Sequence, residues 1–274
     1  MELRLPLTPD ERLARVRENV LRFKGPRLRK PKPLRPERLI ICGFGPSLAD
    51  TWPLIRDPMD KPVVMTTSGA HDYLIERGII PDYHVEIDPR EHKCFFIRNS
   101  HPDVTYLLAS TVHPKMFEML RGRKVTMWHS FTDDDLPRQV AQLEKLEPGA
   151  VSLSGGTNAG MRAIVVGRHV GHARMSGHGL DCCYLGSRQW AGAHSGARHR
   201  TVRIECDGRA FETSDVMMQA TDDFFNQLRG LGRVEISIEG DGLLAARLAL
   251  HRRNPALALS PQWWRPLNFT LRAA

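Results

Sequence analysis

No apolar run in this chain approaches the ~20 residues that span a bilayer. Charge or glycine breaks every one, and the mean hydropathy is −0.35. A membrane span is therefore not expected. The first residues, MELRLPLTPDERL, carry an acid at Glu2 and lack the uninterrupted apolar segment of a secretory leader, so the expectation is a cytoplasmic protein. Cysteine is sparse and odd in number, five residues at Cys42, Cys94, Cys182, Cys183 and Cys206, with no C-x-x-C spacing. A disulfide framework and a zinc knuckle both drop out. A bridge between the adjacent Cys182 and Cys183 would be strained, so the cysteines read as reduced packing residues. No histidine pair has the H-E-x-x-H spacing of a zinc protease, and no internal repeat is evident.

What is present is ordinary for a globular protein: 274 residues, 41% hydrophobic and 26% charged. That is enough for one core of roughly 200 residues with appendages. The net charge of +8 invites a nucleic-acid reading, but residues 1–38 hold twelve Lys or Arg against five acids, so the rest of the chain is close to neutral. The second part of that segment, RFKGPRLRKPKPLRPER, has four prolines, which remove backbone donors and favour extended conformations. Residues 1–37 therefore read as a basic N-terminal extension, a linker or arm. If nucleic acid is a partner, this is where it binds.

From residue 38, short β-rich runs alternate with helix-compatible segments, which predicts an α/β fold with a mostly parallel sheet. The strands are expected at 38–43, 62–67, 83–87, 104–109, 124–128 and 172–177. The helices are expected at 69–77, 113–121, 135–146 and 157–170, three of them closed by Gly78, Gly122 and Gly171. Residues 38–245 form the main domain and 246–274 a small C-terminal tail in which Trp263 and Trp264 can dock on the domain or on a partner. The unusual residues follow the strands directly, so a parallel sheet gathers them along one edge, where open α/β sheets bind ligands.

Gly43-Phe44-Gly45-Pro46-Ser47 is the sharpest local signal. Two glycines permit a tight turn and a close ligand approach, Pro46 suits the first helical position, and a helix start offers N–H groups to an anion. Neither the Walker pattern nor the full G-x-G-x-x-G is met, and a plain strand-to-helix turn is the alternative. Gly155-Gly156-Thr157-Asn158 is a second such start, with Thr157 or Asn158 as its cap. Glu86 and Asp88 lie two apart at the end of a strand, on one face, where a carboxylate pair can hold Mg2+; a capping Asp88 beside Arg90 is the bland reading. Asp181, in SGHGLD, can meet a ribose, a base or a catalytic group, or simply form a turn. His194 and His199 lie in a later loop, and an imidazole there can serve as a general acid or base.

The ordered set GFGPSLADTWP, TTSGAHDYLIERGIIPDYHVEIDP, SGGTNAGMRAIVVGRHVG and MSGHGLD resembles the MptE-like 6-hydroxymethyl-7,8-dihydropterin pyrophosphokinases, over roughly residues 38–245. Their bacterial relatives include motility accessory factors that glycosylate flagellin. The G-x-G-P-S-L start and the later S-G-G helix are also similar to bacterial sialyltransferases that use CMP-sialic acid. The resemblance implies a Rossmann-like sheet with helices on both faces. It implies that Gly43, Gly45, Pro46 and Ser47 hold nucleotide phosphates, that Ser68 and Gly69 border the nucleotide, that Asp88 lies at the metal or substrate end, that Gly155, Gly156 and Thr157 close the other wall, and that Asp181 lies near base or acceptor. It also implies that VEISIEGDGLLA forms a closing strand. The sequence departs from the kinases where they carry Asp-x-Asp, for here the first acid is Glu86 and Pro89 follows Asp88, which resembles the glycosyltransferase-like branch more.

The resulting expectation is a nucleotide-dependent transferase. Its donor is ATP or a nucleotide-sugar, Mg2+ sits at Asp88 and Glu86, and Asp88 and His194 are the catalytic residues. A binding module that has lost turnover is the rival from another class.

Overall fold

The structure, a computed structural model, describes residues 7–131, 135–153, 155–192 and 200–267. His194 and His199 lie outside the described residues.

The chain begins with α1 (Pro9–Arg22) and then alternates β1 (Leu39–Cys42), α2 (Leu48–Arg56), β2 (Val63–Thr67), α3 (Ala70–Ile75) and β3 (Tyr83–Glu86). A 3-10 helix (Glu91–Ile97) leads to β4 (Thr105–Ala109), α4 (Pro114–Met119), β5 (Lys124–Trp128), α5 (Leu136–Leu146), α6 (Ala159–His169) and β6 (Arg174–His178). After these come the hairpin β7 (Val202–Cys206) and β8 (Arg209–Thr213), α7 (Asp215–Gly230), β9 (Glu235–Ile238), α8 (Leu243–Arg253), α9 (Pro255–Leu259) and β10 (Arg265–Pro266). Seven strands form one sheet in the order β5-β4-β3-β2-β1-β6-β9, and every pairing in it is parallel.

Both faces of that sheet are covered, which a parallel sheet requires. β1 shows it residue by residue. Leu39 and Ile41 join α6 residues Met161 and Ile164 in one apolar cluster, while Ile40 and Cys42 join Leu48, Ile55 and Leu74 of α2 and α3 in another. The chain lays down β1 to β5 in one direction, then returns through α5 and α6 to place β6 on the other side of β1. The carboxyl ends of β1 and β6 are therefore the topological switch point of the sheet.

Residues 7–37 are not a free arm. Thr8 and Glu11 make a capping box at the start of α1. Val16 and Val20 are buried against Met127, Phe131 and Leu143, burial that contributes about 1.5–3 kcal/mol per side chain. Beyond α1, Leu28 N–H donates to Met127 O at 2.8 Å and Met127 N–H donates to Pro26 O at 3.0 Å, which extends the sheet edge past β5. Two of the expected arm's cations are also spent on the protein, Arg27 and Arg29 on Glu147, and just past it Arg38 pairs with Asp60. At the other end, α8 runs through the expected boundary at 245, and Trp263 is buried with the Arg247 guanidinium 3.9 Å from its ring centre.

Candidate functional site

The expected bends meet at the switch point, but not as an amide cradle. Gly43 N–H donates to His178 O and Gly45 N–H to Gly179 O, both at 2.8 Å, and Ser47 N–H donates to Asp181 Oδ2 at 3.0 Å. The two glycines are needed for this close approach: a Cβ on Gly43 would stand 2.6 Å from Gly179 O, and one on Gly45 would fall on Asp181 Oδ2. Ser47 Oγ makes no cap to α2 and is buried without a partner. The donors expected to hold phosphate at Gly43, Gly45 and Ser47 are thus already used inside the protein, and Pro46 has none to give.

The second bend has the same device. Thr157 N–H donates to Asp223 Oδ2 of α7 at 2.7 Å, and Asn158 Oδ1 accepts from Met161 N–H at 3.0 Å as the cap of α6. Gly155 and Gly156 have φ of +112° and +82° and lie against Gln227. Buried Arg162 ties the loop down by donating to Leu153 O, Gly156 O and Phe131 O. The two bends come together across one side chain, since Leu180 Cδ2 lies 2.6 Å from the Cβ positions of both Gly43 and Gly160.

Ser68 and Gly69, expected to border the nucleotide, fall beside the first bend. Ser68 has a left-handed φ of +50°, rare for a residue with a side chain, and Gly69 lies against the Phe44 ring.

At the carboxylate pair at the end of β3, Glu86 Oε2 is buried without a partner, but Asp88 is already held by cations. Glu86 Oε1 accepts from the N–H groups of Ile87 and Asp88 at 2.8 and 3.0 Å. Asp88 is held by Arg90, 2.5 Å from Oδ2, and by the Lys93 ammonium at 3.6 Å. Those cations offset burial and lower the Asp88 pKa, whereas Glu86, fully buried, is raised mainly by desolvation. Lys93 supplies the positive charge that a metal would bring, and among the described residues no cluster of three His, Cys, Asp or Glu could hold a metal ion.

At the crevice expected between the ends of β1, β6 and β9, Ser47 and Asp181, which the sequence pointed to, are joined by Thr51 and His178, which it did not, and all four are buried. Asp181 is 4% exposed, its Oδ1 makes no hydrogen bond of its own, and burial raises its pKa against the lowering pull of the Ser47 hydroxyl and amide. Ser47 Oγ, Thr51 Oγ1 and His178 Nδ1 are buried without partners as well. Burial lowers the His178 pKa to about 4. The 239–242 turn after β9 closes over them: Cβ atoms at Gly240 and Gly242 would stand 2.7 Å from Ser47 Oγ and Asp181 Oδ1. Thr51 and Gln227 gave no motif; Gln219, Asp223 and Gln227, spaced by four on α7, were the one visible sign of a polar helix face. Two surface cavities lie elsewhere, one of about 390 Å3 between the end of α1 and the α4–β5 turn, the other of about 250 Å3 against the β7–β8 hairpin.

The profile of the family described as 6-hydroxymethylpterin diphosphokinase MptE-like matches residues 13–187, starting inside α1. The chain belongs to this MptE-like family. No curated protein matches it. Among solved structures, the MAf glycosyltransferase from Magnetospirillum magneticum AMB-1 superposes with a TM-score of 0.65 at 16% identity, over 87% of this chain and 38% of that one. This MptE-like chain shares that protein's fold while spanning about 38% of its length. A mammalian sialyltransferase superposes with a TM-score of 0.39 at 13% identity, over 85% of this chain and 86% of that one. No helix among the described residues is long and apolar enough to cross a membrane.

Proposed function

We propose that this MptE-like protein is a transferase whose donor is a nucleotide-sugar, bound at the switch point between β1 and β6. The observation that carries the reading is the set of four buried, unpartnered polar atoms there, on Ser47, Thr51, His178 and Asp181. Buried polar groups in folded proteins are paired, and each orphan costs about 1–3 kcal/mol. Four at one crevice mark a place that a ligand's polar groups complete. The name of the MAf glycosyltransferase, a protein of the same fold, supports the sugar-transfer branch.

The diphosphokinase of the family's description is the second reading. It needs ATP and a cation that neutralises charge developing on the phosphates. The geometry at Glu86 and Asp88 weighs against it, because Lys93 and Arg90 already hold Asp88. His194 is the candidate acid or base that the sequence offers.

Thermal shifts with ATP, CMP, UDP and GDP, each with and without Mg2+, test the choice. Stabilisation by CMP, UDP or GDP that does not need Mg2+, and that Asp181→Ala removes, is the expected outcome. Stabilisation by ATP and Mg2+ alone returns the chain to the diphosphokinases, and no shift with any of them overturns the nucleotide reading. If nucleotides bind but mass spectrometry finds no product with any donor sugar, the protein is a binding module.

A further inference from the structure

The crevice at the switch point has the wrong polarity for phosphate. Its backbone donors at Gly43, Gly45 and Ser47 are spent, and the group facing them is a carboxylate. The acids Asp50 and Glu239 bear on the same place through their fields on Asp181 and His178. Nearby cations are committed: Arg188 to Asp50 at 3.3 Å, Arg38 to Asp60 at 2.6 Å, and Arg209 to Asp241 at 3.4 Å. Among the described residues, an anion here would meet net negative charge with no unpaired cation to offset it. A hydroxyl would meet Asp181 Oδ1, an acceptor with no partner and 4% residue exposure, beside Ser47 Oγ and Thr51 Oγ1.

We propose that this crevice takes the ribose of the donor nucleotide, with Asp181 Oδ1 accepting from one hydroxyl of the 2′,3′-diol, Ser47 or Thr51 meeting the other, and the phosphates lying outside. This rests on the nucleotide reading above and reverses the expected role of the G-x-G-P-S bend. The glycines bring backbone against backbone so that a carboxylate, not a phosphate, caps α2. Access requires the 239–242 turn to lift. Gly240, at φ +96° and with no side chain, is its natural pivot.

The test is titration calorimetry of the full chain with CMP, UMP, AMP and GMP, with the 2′,3′-dideoxy form of whichever binds best, and with inorganic phosphate, repeated on Asp181→Asn. Asparagine keeps an acceptor for Ser47 N–H, and circular dichroism and Tm confirm that the variant folds. Hydrogen bonds to a charged acceptor predict that the dideoxy form binds about 10- to 100-fold more weakly. In Asp181→Asn that discrimination shrinks to a few-fold while affinity for the dideoxy form is kept. Equal affinity for ribo and dideoxy forms, discrimination that survives Asp181→Asn, or tighter inorganic phosphate in the variant each overturn the ribose assignment while leaving nucleotide binding intact. A change in Tm alone means that internal water fills the crevice, and also overturns it. If none of the four nucleotides binds the wild type, the functional reading itself falls.

Discussion

At the first bend the Ser47 amide meets Asp181, which is 4% exposed and keeps one oxygen free; at the second the exposed Thr157 amide meets half-buried Asp223, whose other oxygen accepts from Gln219 at 3.1 Å. The same hydrogen bond thus serves two ends. Asp223 has both oxygens occupied and pins the loop before α6 from a neighbouring element. Asp181 has unused capacity in a place shielded from water, and unused capacity is what a ligand can exploit. Burial, not the glycine pattern, distinguishes the two bends.

The glycines should break first and unequally. A Cβ at Gly45 meets backbone, Gly179 O at 2.5 Å, as well as the Asp181 carboxylate, so Gly45→Ala is expected to cost about 3 kcal/mol or more, read as a lowered urea midpoint. At Gly155 the nearest atom is the flexible Gln227 side chain at 3.1 Å and the penalty is the φ of +112°, so Gly155→Ala should cost about 1–2 kcal/mol. Equal losses would erase the distinction between the bends.

Acid should act on the first bend next. His178, whose carbonyl receives Gly43 N–H, stays neutral in the fold down to about pH 4. In the unfolded chain it protonates near 6.5. The unfolded state therefore binds more protons between those values, and stability present above pH 6.5 is lost as pH falls towards 4, by up to about 3 kcal/mol from this residue. In His178→Gln the slope of unfolding free energy against pH should flatten over that window.

A smaller effect is expected at the second bend. Asp223→Ala removes a loop hydrogen bond worth about 1 kcal/mol and should leave nucleotide affinity where it was; a tenfold loss of affinity would move the ligand towards α7. Smallest of all is Asp88→Asn. Its pairing with Arg90 is largely exposed on the arginine side and worth about 0–1 kcal/mol, so Tm and nucleotide binding should both stay close to wild type.

Much of the sheet was legible. Six strands and their order of appearance follow from alternating apolar runs, because a parallel sheet buried on both faces writes its strands as such runs. The β7–β8 hairpin was missed although its signal is present: Asp207 and Gly208 both have positive φ, +55° and +72°, as a two-residue primed turn demands. α1 was obscured by its charge, which drew attention away from the Thr8–Glu11 capping box and the spacing of Val16 and Val20. The two bends could be found locally, but their use could not. The carboxylates that complete them come from 134 and 66 residues away, and no local pattern shows whether an amide is already spoken for.

The short pairing of residues 26–28 with Met127 has a consequence for the protein in solution. It blunts one rim of the seven-stranded sheet with a proline-bearing strip that cannot recruit another strand. A fragment trimmed to begin at Leu39 would keep the switch-point loops yet present raw backbone along β5, inviting self-association, so residues 26–28 cover an edge that would otherwise be open.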